Sequence, residues 1–123
     1  MKIILIIEDN PEIRENMTEL LELNDFKVVS AMNGAEGISI AKEIKPDLIL
    51  CDIMMPVVNG YEVLRQLKTN PPTAEIPFIY VTASAEKTEV KIGMDLGADG
   101  YIRKPFETSE LMYTIKTCLK SGD

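Results

Sequence analysis

Lys2-Ile3-Ile4-Leu5-Ile6-Ile7-Glu8-Asp9-Asn10-Pro11 follows the initial methionine. Five aliphatic residues in a row, with no polar alternation, are the pattern of a strand buried on both faces. A strand of that kind needs helices on each side of its sheet, so a parallel sheet is expected. Glu8 and Asp9 fall at the carboxyl end of the strand. Asn10-Pro11 reads as a helix cap followed by a proline in the first turn, where its missing N–H costs nothing. Ile13, Met17, Leu20 and Leu21 then recur at i, i+4, i+7 and i+8, with Glu12, Arg14, Glu15 and Glu19 on the opposite face.

The same alternation continues outward from this segment. Further short aliphatic runs lie at Val28–Ala31, Leu48–Cys51, Phe78–Val81 and Gly100–Ile102. Between them, Ala35, Ile38, Ala41 and Ile44 mark a second helix that ends before Pro46. Tyr61, Leu64 and Leu67 mark a third, opened by Asn59-Gly60. Val90, Met94 and Leu96 mark a fourth, weakened by two glycines. Leu111, Ile115, Cys118 and Leu119 mark a fifth. Asn70-Pro71-Pro72-Thr73 reads as a loop. Five successive strand–helix units joined by right-handed crossovers make a three-layer α/β sandwich around a five-stranded parallel sheet. One domain over residues 1–120 is expected, with a short tail at 121–123 and no output domain.

The chain has 123 residues, 46% hydrophobic and 27% charged, which is a globular balance. Thirteen basic against twenty acidic residues leave a net charge of −7, which argues against direct contact with nucleic acid or an anionic membrane. The run Ile3–Ile7 is far too short to span a bilayer, and the N-terminus lacks the length and cleavage site of a signal peptide. Cys51 and Cys118 sit in apolar surroundings at no metal-binding spacing, as expected of buried thiols in a reducing cytoplasm. Histidine is absent, which removes the commonest general base, the commonest zinc ligand and any internal phosphohistidine.

Ligands of open parallel sheets bind at the carboxyl ends of the strands. There the sequence places Glu8 and Asp9, Asp52, Thr82 and Lys104, while the second strand leads only into the turn Met32-Asn33-Gly34. Each of these residues has an ordinary explanation when taken alone. An acidic pair complements a helix N-terminus, an aspartate forms a turn, a threonine suits a strand, and a lysine is a solvated charge. Their coincidence on one rim does not, because clustered like charges oppose folding. Three carboxylates remain ionised together only beside a cation, and an all-oxygen donor set selects a hard ion such as magnesium. A lysine and a hydroxyl opposite would hold the remaining oxygens of a phosphoryl group. The sum is phosphoryl transfer to a carboxylate, since no serine or cysteine has a base beside it.

The chain resembles the receiver domain of two-component response regulators, in its single-domain, chemotaxis-regulator-like form. The likeness runs from Lys2 to about Leu119. It rests on Glu8-Asp9, on Asp52-Ile53-Met54-Met55-Pro56 with Asn59-Gly60, on Thr82-Ala83, and on Gly97-Ala98-Asp99-Gly100-Tyr101-Ile102-Arg103-Lys104-Pro105-Phe106. The resemblance implies a flavodoxin-like strand order 2-1-3-4-5. It makes Asp52 the phosphoacceptor. It assigns Mg2+ to Asp9, Asp52 and the Met54 backbone carbonyl, with Glu8 acting through water. It has Thr82 and Lys104 bind phosphoryl oxygens, a cis Lys104-Pro105 bond, and Thr82 and Tyr101 as the switch pair. Glu8 departs from the commoner aspartate by one methylene. Met54, Ala83 and Ser84 flank the phosphoryl site.

The resemblance also implies partners. The phosphoryl donor is external, a histidine kinase, a histidine phosphotransfer protein or a small phosphodonor. A downstream protein meets the face formed by the fourth helix, fifth strand and fifth helix, and the chain is a monomer or weak dimer. Catalysis is confined to its own phosphorylation and dephosphorylation. Val57-Val58 marks either a partner contact or packing on the third helix. Three other readings compete. An aspartyl-phosphate phosphatase is disfavoured because such enzymes place a second acid where Met54 stands. A flavin-binding domain is disfavoured because Glu8-Asp9 would repel the flavin phosphate. A phosphorylation-incompetent interaction module is disfavoured because the residue set is intact.

Overall fold

A computed structural model describes residues 1–83 and 86–121; Ser84 and the last two residues of the expected tail lie outside the described residues. The strands are β1 (Ile3–Ile7), β2 (Lys27–Ala31), β3 (Leu48–Cys51), β4 (Phe78–Thr82) and β5 (Gly100–Arg103). The helices are α1 (Pro11–Leu23), α2 (Gly34–Ile44), α3 (Gly60–Lys68), α4 (Pro71–Ala74), α5 (Lys87–Asp95) and α6 (Thr108–Ser121). All strand pairs are parallel, in the order β2-β1-β3-β4-β5. The fold is therefore the three-layer, flavodoxin-like sandwich expected. No described helix is long and apolar enough to cross a membrane.

One segment differs from its reading. Pro71–Ala74 is not a loop but the single helical turn α4, so the fourth and fifth helices of the sequence reading are α5 and α6. Prolines in the first turn give up no intrahelical hydrogen bond. Buried Thr73 fixes the turn from within, its hydroxyl donating to Leu67 O at 2.7 Å and to Asn70 O at 3.1 Å.

Side-chain alternation along the strands divides the core in two. Leu5, Ile7, Ile49, Cys51, Phe78 and Tyr80 face one way and pack with α2 and α3. Ile4, Ile6, Leu48, Leu50, Ile79 and Val81 face the other way, against α1 and α6. At the amino ends of the strands, two carboxylates bind backbone. Asp47 accepts from Ile3 N at 2.7 Å while its own N–H donates to Ile3 O, and Asp99 does the same for Phe78, accepting at 2.9 Å. Asn10, Asn33 and Asn59 cap α1, α2 and α3 with their side-chain oxygens.

Val58 packs on the core from the loop after β3, while the neighbouring Val57 is fully exposed with φ of 68°. A β-branched residue in the left-handed region is strained by contact between its side chain and the backbone, at a cost of roughly 1–2 kcal/mol. Because Val57 buries nothing, Val57→Gly is expected to raise stability by about 1 kcal/mol, as a higher urea midpoint with an unchanged slope.

Candidate functional site

β1 and β3 are neighbours, so Glu8-Asp9 and Asp52 emerge side by side at the carboxyl end of the sheet. One carboxylate oxygen from each of Glu8, Asp9 and Asp52 lies within 4.8 Å of the others. Glu8 and Asp52 are buried, whereas Asp9 is exposed. Backbone bonds set their positions: Glu8 N donates to Ala31 O at 3.1 Å, and Asp52 N to Ile7 O at 3.0 Å. α3 starts directly against this turn. A side chain at Gly60 would place its Cβ 2.5 Å from Asp52 O, so the approach requires glycine.

Lys104 comes from the far side of the sheet, 96 residues along the chain from Glu8. Its Nζ donates to Glu8 Oε1 at 2.5 Å and lies 3.5 Å from Asp52 Oδ2. Its backbone N–H donates to Thr82 O at 2.8 Å, which joins the end of β4 to the same rim. The Lys104-Pro105 peptide is cis. Thr82 is buried. Met54 is exposed between buried Ile53 and Met55. Tyr101 lies three residues before Lys104, in β5, half-buried, with its ring edge-on to Tyr80 at 6.0 Å. Burial pushes the Tyr101 hydroxyl up to about 12, so it stays protonated at any physiological pH.

The electrostatics follow from crowding. Burial raises the Glu8 carboxyl above its ordinary value, and hydrogen bonds from Lys104 and from Asn10 N at 3.2 Å counter that rise. Burial, followed by the charges of Asp52 and Glu8, drives the Cys51 thiol well up, so it is no nucleophile. Arg14, which periodicity assigns only to a polar helix face, reaches back to donate to Glu8 O at 2.8 Å and holds the acidic turn against α1. A helical arginine six residues after an acid gives no sequence signal for that contact. The donor set is all oxygen and partly open through Asp9, which suits a hard divalent ion that keeps several waters.

Comparison with known proteins identifies relatives of the chain. The sequence pattern of the response regulator receiver domain matches residues 4–116. Protein PilH of Pseudomonas aeruginosa is 38% identical over 116 residues, which are 94% of this chain and 96% of that protein. The transcriptional regulator RpaA of Synechocystis is 36% identical over 98% of this chain but only 50% of its own length. The chain thus spans about half of several curated relatives that it matches. The receiver domain of sensor histidine kinase PA1611 from Pseudomonas aeruginosa, solved with magnesium in its active-site cleft, superposes with a TM-score of 0.90. It is 26% identical, and the match covers 97% of this chain and 98% of that one.

Lys104 is the cation that neutralises Glu8 and Asp52 within the described residues, and its side chain is 14% exposed. Lys104→Met keeps the apolar stem and removes the charge. In chelator-containing buffer at neutral pH the substitution is expected to lower stability by about 2–3 kcal/mol, read from urea denaturation, because two buried carboxylates lose their counter-charge.

Proposed function

The chain belongs to the response regulator receiver domain family, and on that premise we propose that it is a phospho-accepting switch in which Asp52 is the acceptor. An Asp52 carboxylate oxygen attacks phosphorus of a phosphohistidine on a histidine kinase or histidine phosphotransfer protein. The P–N bond breaks, its electron pair returns to the imidazole, and an acyl phosphate forms on Asp52. Asp9, Asp52 and the Met54 carbonyl, with Glu8 through water, would hold Mg2+, which when bound would supply charge neutralisation at the transferring group. Lys104 exchanges its contacts with Glu8 and Asp52 for a phosphoryl oxygen, and the Thr82 hydroxyl donates to another. No other substrate is turned over.

The observation that carries this reading is the Lys104 ammonium seated on Asp52 and Glu8 beside a third carboxylate. A carboxylate cluster and a cation are already assembled around the one buried aspartate of the rim. Added phosphate brings about two negative charges and three acceptor oxygens. Thr82 moving toward it shifts the packing at the end of β4, Tyr101 turns inward, and the face of α5, β5 and α6 changes for a downstream protein.

Acetyl phosphate with magnesium is expected to add one phosphoryl mass to the intact chain. Asp52→Asn is expected to abolish the adduct, and chelation to suppress it. Thr82→Ala is expected to keep the adduct but lose most of the backbone amide shift changes on α5 and β5. No adduct on the unsubstituted chain indicates an interaction module, turnover of many phosphoesters indicates a phosphatase, and either result sinks the proposal.

A further inference from the structure

Tyr80 stands fully buried at the centre of β4, on the sheet face that carries α2 and α3. Its ring meets Tyr61 of α3 edge-on at 5.6 Å, Phe78 at 5.2 Å and Tyr101 of β5 at 6.0 Å. α5 rests directly on this ring: a Cβ on Gly93 would come 2.5 Å from Tyr80 Cε2. Glycine therefore lets the helix backbone come up against the ring, and movement of α5 is movement past Tyr80.

Two hydroxyls of this cluster are in opposite situations. Tyr61 Oη donates to the carbonyl of Glu89, 28 residues away in the first turn of α5, at 3.2 Å. It ties α3 to α5. Tyr80 Oη is buried with no hydrogen-bond partner, the one side-chain polar atom in that state among the described residues. A buried hydroxyl that has given up water and gained nothing disfavours the arrangement that buries it. α5 itself is lightly held. Gly93 is its buried residue, and Glu86 at its N-cap makes no side-chain cap, unlike the asparagines before α1, α2 and α3. The seating described is that of the free Asp52 carboxylate, since Lys104 makes contacts that a phosphoryl group would have to replace.

We propose that the Tyr61 and Tyr80 hydroxyls set the balance between this seating of α5 and the displaced one selected by phosphorylated Asp52, Tyr61 holding the helix down and Tyr80 favouring its release. The inference rests on the switch reading above and adds what tunes that switch in this chain. Displacing α5 breaks the Tyr61 bond and opens the Tyr80 hydroxyl to a partner. The two oxygens therefore act with opposite sign on the same equilibrium, and Tyr101, in ring contact with Tyr80, carries the change to β5. Both are positioning residues, since neither touches the phosphoryl group.

The test uses Tyr61→Phe and Tyr80→Phe in the full chain, each deleting one oxygen and keeping the ring. Affinity for beryllofluoride, a phosphoryl mimic, is measured with magnesium by amide-shift titration. Tyr61→Phe is expected to bind roughly three- to tenfold more tightly and Tyr80→Phe roughly three- to tenfold more weakly than the parent. A purely structural role would move melting temperatures and leave the affinities alone. Shifts of the same sign, or an affinity within about twofold of the parent in either variant, overturn the proposal while the switch reading stands. A parent chain that binds no beryllofluoride overturns both.

Discussion

Mutual repulsion among Glu8, Asp9 and Asp52 is the constraint around which the rest of this molecule is arranged. Three carboxylates within hydrogen-bonding reach of a common point are unfavourable in a half-buried setting, and burial already raises the Glu8 carboxyl. The fold resists that strain from beneath. β1 and β3 are central strands with fully buried aliphatic faces, and the backbone bonds Glu8 N to Ala31 O and Asp52 N to Ile7 O leave the acidic turns nowhere to retreat. Lys104 and Arg14 complete the restraint, one by charge and one by gripping the turn's backbone.

The two ends of the sheet divide the labour. At the amino ends, Asp47 and Asp99 are spent on backbone N–H groups, which stabilises the starts of β1 and β4. At the carboxyl ends, the polar side chains point into a common space and their electrostatic cost is retained. This asymmetry is what makes a parallel sheet suitable for phosphoryl chemistry: every strand delivers its terminal residue to the same rim.

Helix anchoring is uneven in the same way. α1, α2 and α3 begin with asparagine caps and bury apolar residues along their length, whereas α5 begins uncapped and meets the sheet through Gly93 on Tyr80. α5, part of the proposed output face, is thus less firmly held than α1, α2 and α3. Weak local anchoring is the usual property of elements that move between two packings.

Hydrophobic periodicity is local, and it was enough to place the five strands, five of the helices, the two-faced core and the strand-end position of each candidate residue. α4 was hidden because a proline pair signals a turn and a first helical turn alike, and the buried Thr73 hydroxyl decides between them only in three dimensions. Sequence determined which side chains are polar and where along each strand they stand. It did not determine that Lys104 reaches Glu8 across 96 residues, that Arg14 turns back onto Glu8, or that Tyr61 bonds α5 while the Tyr80 hydroxyl has no hydrogen-bond partner among the described residues. Those are contacts between distant segments, fixed by strand order and by the depth at which helices settle on the sheet, and no spacing within one segment encodes them.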